Sequence, residues 1–448
     1  MARVVIAAPA SGHGKTTVAT GLMAALREAG HVVSGHKVGP DYIDPGYHAL
    51  ATGRPGRNLD PHLVGEARLE PLFLHGAAGA DLAIIEGVMG LYDGALGRDG
   101  FASTAHVAAV LRAPVILVVD ISHASRSIAA VVHGMATFDP SVHIAGVILN
   151  KAGSERHARE VTDALQATGV EVLGVLSRDD GIVAPSRHLG LVPAQERPSA
   201  VHELGQLAAQ VRERVDLEAV VRIARSAGAL AGDAWSPGPD TLASLGGSTS
   251  GDPVVAVAGG RAFTFRYAET EELLRAHGCE PVVFDPTTDT SLPEGTQGIY
   301  LGGGFPEVHA ADLSANEPMR TALAEAIAAG VPTVAECAGL LYLCTTLDDA
   351  PMIGAIDATA AMTPKLTLAY RTAIAPSDSL LTRAGERVTG HEFHRTAVSD
   401  IESPAWLLDG RSDGFGGPTL HASYLHTHWA GHPQLAARFA EAVHAWTP

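Results

Sequence analysis

The chain has 448 residues, 46% hydrophobic and 18% charged, a composition that excludes a disordered chain and predicts a folded one with more than one domain. The formal net charge of −18 argues against a nucleic-acid partner, since such surfaces normally carry a basic patch. With three cysteines and no apolar run of roughly 18 residues, we expect no disulfide framework, no membrane partner and a cytoplasmic location.

The first 190 residues alternate apolar runs with helical stretches. We predict strands at 3–8, 81–86, 114–120 and 144–150, and helices at 18–29, 103–111 and 155–168. This alternation indicates right-handed β-α-β units and a mostly parallel sheet. In such sheets ligands bind at the carboxyl ends of the strands, where these runs end in polar residues.

A phosphate-binding loop, Pro-Ala-Ser-Gly-His-Gly-Lys-Thr at 9–16, follows the first predicted strand and opens a helix. Its glycines would let backbone N–H groups face phosphate oxygens. Lys15 would reach the β- and γ-phosphates and Thr16 would bind Mg²⁺. The loop departs from the usual pattern because Pro9 stands where the first glycine is expected. The predicted nucleotide-binding residues of this loop are Ser11, Gly12, Gly14, Lys15, Thr16 and Thr17.

Acidic and amide side chains after other strands extend the predicted nucleotide site. Glu86 ends the second predicted strand, and Asp41 lies in a proline-punctuated loop at 37–45. We predict that Thr16, Asp41 and Glu86 bind Mg²⁺, although Asp41 and Asp44 could instead serve only as turn-forming residues. Asn150, at the end of the strand at 144–150, is the candidate for reading adenine.

The composition changes at 232–253, where Gly, Pro and Ser make up 12 of 22 residues and neither Lys nor Arg occurs. This is typical of a linker, and we predict domains at 1–231 and 254–448. The second domain begins a new strand–helix series, with strands predicted at 253–258, 280–284, 298–301 and 332–335.

Cys337 lies between a predicted strand and a predicted helix, as a nucleophile does on a tight turn. We expect the helix N-terminus to lower the pKa of its thiol. A base for this thiol could come from a strand predicted at 423–429. Such a strand would put His426 and His428 on one face, so the spacing alone does not decide which of them is the base. His432 is a weaker third candidate. The glycine loop, residues 302–304, could supply backbone N–H groups to an oxyanion.

Together these residues resemble the cobyrinate and hydrogenobyrinate a,c-diamide synthases of cobalamin biosynthesis. The likeness covers nearly the whole chain and rests on the segments 8–17, 37–47, 86–90, 302–306, 335–343, 390–396 and 422–428. It implies an α/β protein with an N-terminal, dethiobiotin-synthetase-like P-loop domain with a mostly parallel sheet. The C-terminal domain would be an α/β domain like the class I glutamine amidotransferases.

The resemblance also implies a reaction. ATP and Mg²⁺ would convert the a and c acetate carboxylates of hydrogenobyrinic or cobyrinic acid to acyl phosphates, and ammonia released from glutamine at Cys337 would displace phosphate. His426 would be the base, because the family's pattern is Ser-Tyr-x-His. Related amidotransferases follow this histidine with Pro-Glu; here Thr427 and His428 follow, so the third member of the triad is absent or comes from elsewhere.

Several alternatives stay open from the sequence. A composition rich in Ala, Gly and Arg is typical of actinobacterial chains and favours the metal-free ring, hydrogenobyrinic acid. A cobyric acid synthase and a nickel-tetrapyrrole diamide synthase are enzyme alternatives, and a partitioning-type ATPase switch is the non-enzyme alternative. The expected partners are the small molecules corrinoid polycarboxylate, glutamine and ATP; whether the chain forms a homodimer is left open.

Overall fold

The computed structural model describes residues 1–178, 186–187, 190–193, 196–197, 199–238, 252–399 and 402–447. The chain divides into two compact units, one of Met1–Pro61 and Gly65–Trp235 and the other of His62–Val64 and Ser236–Pro448. Residues 239–251 of the predicted linker lie outside the described residues. Among the described residues, no helix is both long enough and apolar enough to span a membrane.

A seven-stranded sheet forms the centre of the first unit. The strands of this unit are β1 (Ala2–Ala7), β2 (Val33–Val38), β3 (Arg57–Leu59), β4 (Leu82–Glu86), β5 (Val115–Asp120), β6 (Ile144–Ala152), β7 (Glu171–Ser177) and the short pair β8 (Ser186–Arg187) and β9 (Gly190–Leu191). The sheet order is β3-β2-β4-β1-β5-β6-β7, and all six neighbouring pairs are parallel. This confirms the predicted parallel sheet. Because β1 lies between β4 and β5, the loop after β1 opens where the strand order reverses, which is the usual ligand position in such sheets.

Helices cover the sheet of the first unit. In chain order the helices up to residue 225 are α1 (Lys15–Glu28), α2 (Asp44–Thr52), α3 (Pro61–Val64, of which His62–Val64 belong to the second unit), α4 (Leu69–Gly76), α5 (Thr104–Val110), α6 (Ser127–Phe138), α7 (Glu155–Leu165), α8 (Ala200–Arg214) and α9 (Leu217–Arg225), with 3-10 turns at Glu66–Arg68 and Gln166–Thr168. Strand residues such as Val4 and Ile84 and helix residues such as Leu22 are fully buried in one apolar core. The strands and helices predicted in this half all form, with ends that differ by a few residues.

Of the strands in the seven-stranded sheet, the prediction omitted β2, β3 and β7. Strand β2 has the sequence Val-Ser-Gly-His-Lys-Val, which interrupts the apolar pattern, yet all six residues are buried. Burial of the charged Lys37 in this strand is possible because two carboxylates lie within 3 Å of its ammonium group. The charged residue that interrupts the apolar pattern of β2 is therefore buried as part of an ion-pair cluster.

The second unit contains two sheets. Its strands are β10 (Val254–Ala258), β11 (Glu280–Phe284), β12 (Thr296–Leu301), β13 (Thr333–Glu336), β14 (Thr346–Leu347), β15 (Ala350–Pro351), β16 (Thr359–Ile374), β17 (Arg387–Val398), β18 (Trp406–Leu408), β19 (Arg411–Asp413), β20 (Phe415–Gly416), β21 (Leu420–Ser423) and β22 (His426–Thr427). One sheet has the order β11-β10-β12-β13-β21-β20 and is parallel except for its β20–β21 pair. The other has the order β15-β14-β16-β17-β22, with β18 and β19 attached through β16.

The helices of the second unit are α10 (Ala268–Ala276), α11 (Ala310–Ala315), α12 (Glu317–Ala328), α13 (Ala338–Leu343) and α14 (Pro433–Ala445). The four strands predicted at the start of this half form, as β10 to β13. The continuous strand predicted at 423–429 is wrong. Ser423 ends β21 in the parallel sheet, whereas β22 pairs antiparallel with β17 in the other sheet. The chain thus changes sheets between the two segments.

Candidate functional site

The phosphate-binding loop joins the end of β1 to the start of α1. Gly12 and Gly14 have φ angles of 85° and 90°, a backbone region that favours glycine. A Cβ on Gly14 would lie 2.3 Å from Nδ2 of Asn150, so the close approach also requires glycine. Ser11 is exposed and Thr17 is half-buried. The amides of the first turn of α1 have no acceptors within the helix, which makes this end suited to an anion.

Lys15 and Asn150 both contact the loop. The Lys15 ammonium donates hydrogen bonds to the carbonyl oxygens of Ala10, at 3.3 Å, and Met89. Burial and the neighbouring Lys37 lower the pKa of Lys15 to about 8, so an anionic phosphate at the loop would stabilise its charged form. The Asn150 amide donates to the His13 carbonyl oxygen at 2.9 Å. Asn150 therefore supports the loop, and its contact with adenine stays a prediction.

A buried charged cluster lies beside Thr16. The Thr16 hydroxyl donates to Oε1 of Glu86 at 2.5 Å and lies 3.2 Å from Oδ2 of Asp44. The Lys37 ammonium donates to the same two oxygens, at 2.9 Å for Glu86 and 2.6 Å for Asp44. His48 approaches the other Glu86 oxygen, Oε2, at 2.7 Å. Glu86 and His48 are both completely buried.

The charges of this cluster control one another's ionisation. Burial opposes the ionised form of Glu86, but Lys37, His48 and Thr16 together outweigh it and hold the pKa of Glu86 below its usual range. For Lys37 burial is likewise outweighed, by Asp44 and Glu86, and its pKa is raised. The pKa of Asp44 is raised by burial and by the carboxylates of Asp41 and Glu86. The Lys37 ammonium is therefore shared by two closely spaced carboxylates, Glu86 and Asp44. Binding of a further cation beside them would be favourable, because it would offset their mutual repulsion.

Asp41 lies in a turn before α2, and its role as a Mg²⁺ ligand stays a prediction. Its Oδ1 accepts hydrogen bonds from the backbone N–H groups of Ile43, at 2.8 Å, and Asp44, at 3.0 Å. This is the turn-forming alternative. The carboxylate beside Thr16 is that of Asp44, the first residue of α2. The sequence did not identify Asp44 as a metal-ligand candidate, because an Asp-Pro pair before a helix also occurs as an ordinary turn.

Cys337 lies on a strained turn between β13 and α13. Its φ and ψ angles are 49° and −96°, which is rare for a non-glycine residue. The backbone is held there because the Cys337 N–H donates to the Ser423 carbonyl oxygen at 2.8 Å. This confirms the predicted strand–turn–helix arrangement. Strain of this kind recurs where a turn presents a nucleophile.

The expected lowering of the Cys337 pKa is wrong for the thiol as it stands. Burial raises its pKa, and the charges of Glu307 and Glu336 raise it further, while the Ala338 N–H opposes them by donating to the sulfur. The helix that follows has only six residues, which limits its dipole. The thiol therefore needs a base to accept its proton.

His426 is packed beside the residue that precedes Cys337. Its Nδ1 lies 3.7 Å from Oε2 of Glu336. Its ring stacks on that of His391, the residue opposite it on β17, with 5.1 Å between ring centres. A Cβ on Gly303 would lie 2.5 Å from Cε1 of His426, so a glycine is required for this packing. His426 is thus fixed from three sides.

The other two candidate bases have different surroundings. His428 lies outside β22, its ring packs on that of Tyr267 at 4.1 Å, and its Nε2 lies 3.7 Å from Oε2 of Glu269. His432 accepts a hydrogen bond from the Thr389 N–H at 2.9 Å. The sequence could not separate His426 from His428, because it did not show that the strand is interrupted.

The glycine loop contacts both the cysteine turn and His426. The Gly339 N–H donates to the Gly302 carbonyl oxygen at 3.1 Å, and Gly303 packs on His426. The Gly303 N–H, however, donates to the Phe265 carbonyl oxygen at 2.9 Å, so this predicted oxyanion donor is already used. The Ala338 N–H, which contacts the sulfur, is the better-placed donor.

Known protein families match both units. A model of the CobQ/CobB/MinD/ParA nucleotide binding domain matches residues 4–192. A model of the CobB/CobQ-like glutamine amidotransferase domain matches residues 254–434. The first match contains the phosphate-binding loop and the buried charged cluster. The second contains Cys337, His426 and Glu336.

Curated proteins are similar to the chain along its whole length. It is 63% identical to a hydrogenobyrinate a,c-diamide synthase of Thermobifida fusca, with 100% of this chain and 98% of the relative covered. A protein of the same name from Streptomyces coelicolor is 56% identical, with 98% and 97% covered. A cobyrinate a,c-diamide synthase of Synechococcus is 44% identical, with 98% of each chain covered.

Proposed function

The chain belongs to the family of hydrogenobyrinate and cobyrinate a,c-diamide synthases, and we propose that it amidates the a and c acetate carboxylates of hydrogenobyrinic acid in cobalamin biosynthesis. ATP and glutamine would be the co-substrates. The observation that carries the reaction class is that one chain contains a phosphate-binding loop beside buried carboxylates and a strained cysteine turn whose preceding residue, Glu336, lies 3.7 Å from His426. The identities of 63% and 56% to hydrogenobyrinate relatives, against 44% to a cobyrinate relative, favour the metal-free substrate.

In the first unit, the proposed chemistry is phosphoryl transfer. A carboxylate oxygen of the substrate attacks the γ-phosphorus of ATP, the bond to ADP breaks, and an acyl phosphate forms. Lys15 would face the β- and γ-phosphates, and the amides at the start of α1 would bind phosphate oxygens. Ammonia then attacks the acyl carbon, phosphate leaves, and loss of a proton from nitrogen gives the amide. Two such cycles would convert both acetate side chains.

The residues beside the loop fit Mg²⁺. The Thr16 hydroxyl and the carboxylates of Glu86 and Asp44 provide the hard oxygen ligands that this ion prefers. Among the described residues, no group of three or more His, Cys, Asp and Glu could hold a metal by itself. Mg²⁺ commonly binds through one or two carboxylates together with nucleotide phosphates. When bound, it would supply positive charge against the γ-phosphate.

In the second unit, the proposed chemistry is glutamine hydrolysis. His426 accepts the thiol proton of Cys337, the sulfur attacks the side-chain amide carbon of glutamine, and the Ala338 N–H stabilises the oxyanion. His426 then gives the proton to the leaving nitrogen, which departs as ammonia and leaves a glutamyl thioester. Water hydrolyses the thioester, again with His426 as base, to release glutamate and restore the thiol.

Product analysis tests this proposal. The protein is incubated with ATP, Mg²⁺ and glutamine and with either hydrogenobyrinic or cobyrinic acid, and the products are identified by mass spectrometry. We expect two replacements of OH by NH₂ on the corrinoid, faster with the metal-free ring, each accompanied by one ADP and one glutamate. Amidation of other side chains would instead indicate a cobyric acid synthase, and no amidation at all would refute the proposal.

A further inference from the structure

The residues after His426 raise the question of what orients this histidine, because Thr427 and His428 stand where related amidotransferases have Pro-Glu. We propose that Glu336, the residue before the nucleophile, is the positioning carboxylate for His426, and that Thr427 holds Glu336 in place. The proposal rests on the proposed glutamine hydrolysis at Cys337.

The two oxygens of the Glu336 side chain have separate partners. Oε1 accepts hydrogen bonds from the backbone N–H of Thr427, at 3.2 Å, and from its hydroxyl, at 2.8 Å. Oε2 accepts from the Tyr300 hydroxyl at 3.2 Å and lies 3.7 Å from Nδ1 of His426. The residue is only 5% exposed. Three donors thus fix the carboxylate in the orientation that brings its second oxygen beside the imidazole.

The identity of residue 427 explains how this arrangement is possible. A proline there would have neither a backbone N–H nor a hydroxyl, so it would remove both donors to Oε1 of Glu336. Threonine supplies both. His428, at the position of the usual glutamate, packs instead on Tyr267 and approaches Glu269. The carboxylate that is missing after the histidine is therefore replaced by one that precedes the cysteine.

The chemistry requires a group in this position. A carboxylate beside Nδ1 favours the tautomer in which Nε2 can accept the thiol proton, and it stabilises the imidazolium that forms. The separation of 3.7 Å exceeds a hydrogen bond, but catalytic hydrogen bonds are often long before substrate binds. Against the other face of the ring, burial lowers the pKa of His391 well below its usual value, so this neighbour is neutral at pH 7. Glu336 is thus the carboxylate beside the base, and together with Glu307 and Asp413 it also raises the pKa of the Cys337 thiol.

The test compares Glu336→Gln with a matched control, Glu269→Gln. Both glutamates are buried, and each lies 3.7 Å from a histidine nitrogen. For E336Q we expect kcat for glutamine hydrolysis to fall about 100-fold with little change in KM, and amidation supported by ammonium salts to persist. The acidic limb of its pH profile should move to lower pH, because the amide no longer stabilises the imidazolium and His426 stays neutral, as a base must, to a lower pH. E336D should recover part of the rate, and E269Q should behave as wild type.

Other results would overturn the proposal. If E336Q hydrolysed glutamine at the wild-type rate with an unchanged pH profile, Glu336 would not position His426. If E336Q failed to fold, E336D and Thr427→Val would take its place, and wild-type rates with unchanged pH profiles for both would overturn the proposal. A wild-type protein that releases no ammonia from glutamine, or a Cys337→Ala variant that still does, would instead refute the proposed function on which it rests.

Discussion

Replacement of Lys37 by methionine tests the buried charged cluster. The side chain of Lys37 is 4% exposed and its ammonium lies 2.6 Å from Asp44 and 2.9 Å from Glu86. Removing one partner of such a buried pair costs about 3–5 kcal/mol, because the remaining charge loses its compensation. For a unit of this size, each kcal/mol lowers the melting temperature by about 2–4 °C. We therefore expect K37M to lower it by about 6–20 °C.

The effect of K37M should depend on pH in a defined direction. In the wild type, the pKa of Glu86 is below its ordinary value of 4.5, so Glu86 contributes stability above that pH and loses it as the pH falls. Without the ammonium, ionised Glu86 and Asp44 both become costly at neutral pH. Protonation relieves this cost, so the difference between wild type and K37M should shrink as the pH falls from 7 towards 4.

Lys151→Met is the matched control. Lys151 pairs with Asp120 at 2.7 Å, but its side chain is 38% exposed, so its loss should cost less than about 1 kcal/mol. The assay is scanning calorimetry of the full chain, and the transition of the first unit is identified as the one that ATP shifts. Equal melting temperatures for K37M and K151M at pH 7 would show that the buried cluster is not strongly coupled.

Two further pairs of variants test the nucleotide site. Asp44→Asn should raise the Mg²⁺ concentration needed for half-maximal ATP-dependent amidation by about tenfold or more, whereas Asp41→Asn should change it much less, because the Asp44 carboxylate contacts Thr16 while that of Asp41 accepts hydrogen bonds from backbone N–H groups. The reverse order would favour Asp41 as the metal ligand. Gly14→Ala should weaken ATP binding, measured by calorimetric titration, far more than Gly12→Ala. Both glycines have a positive φ, but only at Gly14 would the new Cβ lie within 4 Å of another atom. Equal losses of affinity would mean that backbone strain alone causes the effect.

The parts of the fold that could be predicted are those whose residues follow an apolar period. Strands β1, β4, β5 and β6 are continuous apolar runs, and the helices between them have apolar faces, so the parallel sheet followed from the sequence. Strand β2 was missed because its buried Lys37 finds its partners on β4 and α2, at separations that no local pattern shows. The second sheet was missed for a different reason: its longest strand, β16, is mostly exposed or half-buried and shows little of the apolar pattern that predicts a strand.

The candidate site could be predicted where a motif fixes the local backbone. It could not be predicted where the contact joins residues that are distant in sequence. The phosphate-binding loop and the turn at Cys337 are local arrangements, and both form as expected. The choice of Asp44 over Asp41 depends on which carboxylate the start of α2 brings to Thr16. The position of Glu336 beside His426 depends on a contact across 90 residues of sequence. No spacing in the sequence encodes either contact.

The most direct test of the central claim is the nitrogen source used by Cys337→Ala. The variant is assayed for ATP-dependent amidation of hydrogenobyrinic acid with glutamine and, separately, with ammonium chloride. If Cys337 releases ammonia that a separate, ATP-dependent site consumes, amidation with glutamine is abolished while amidation with ammonium chloride persists. Glutamine-dependent amidation at the wild-type rate by C337A would contradict this account.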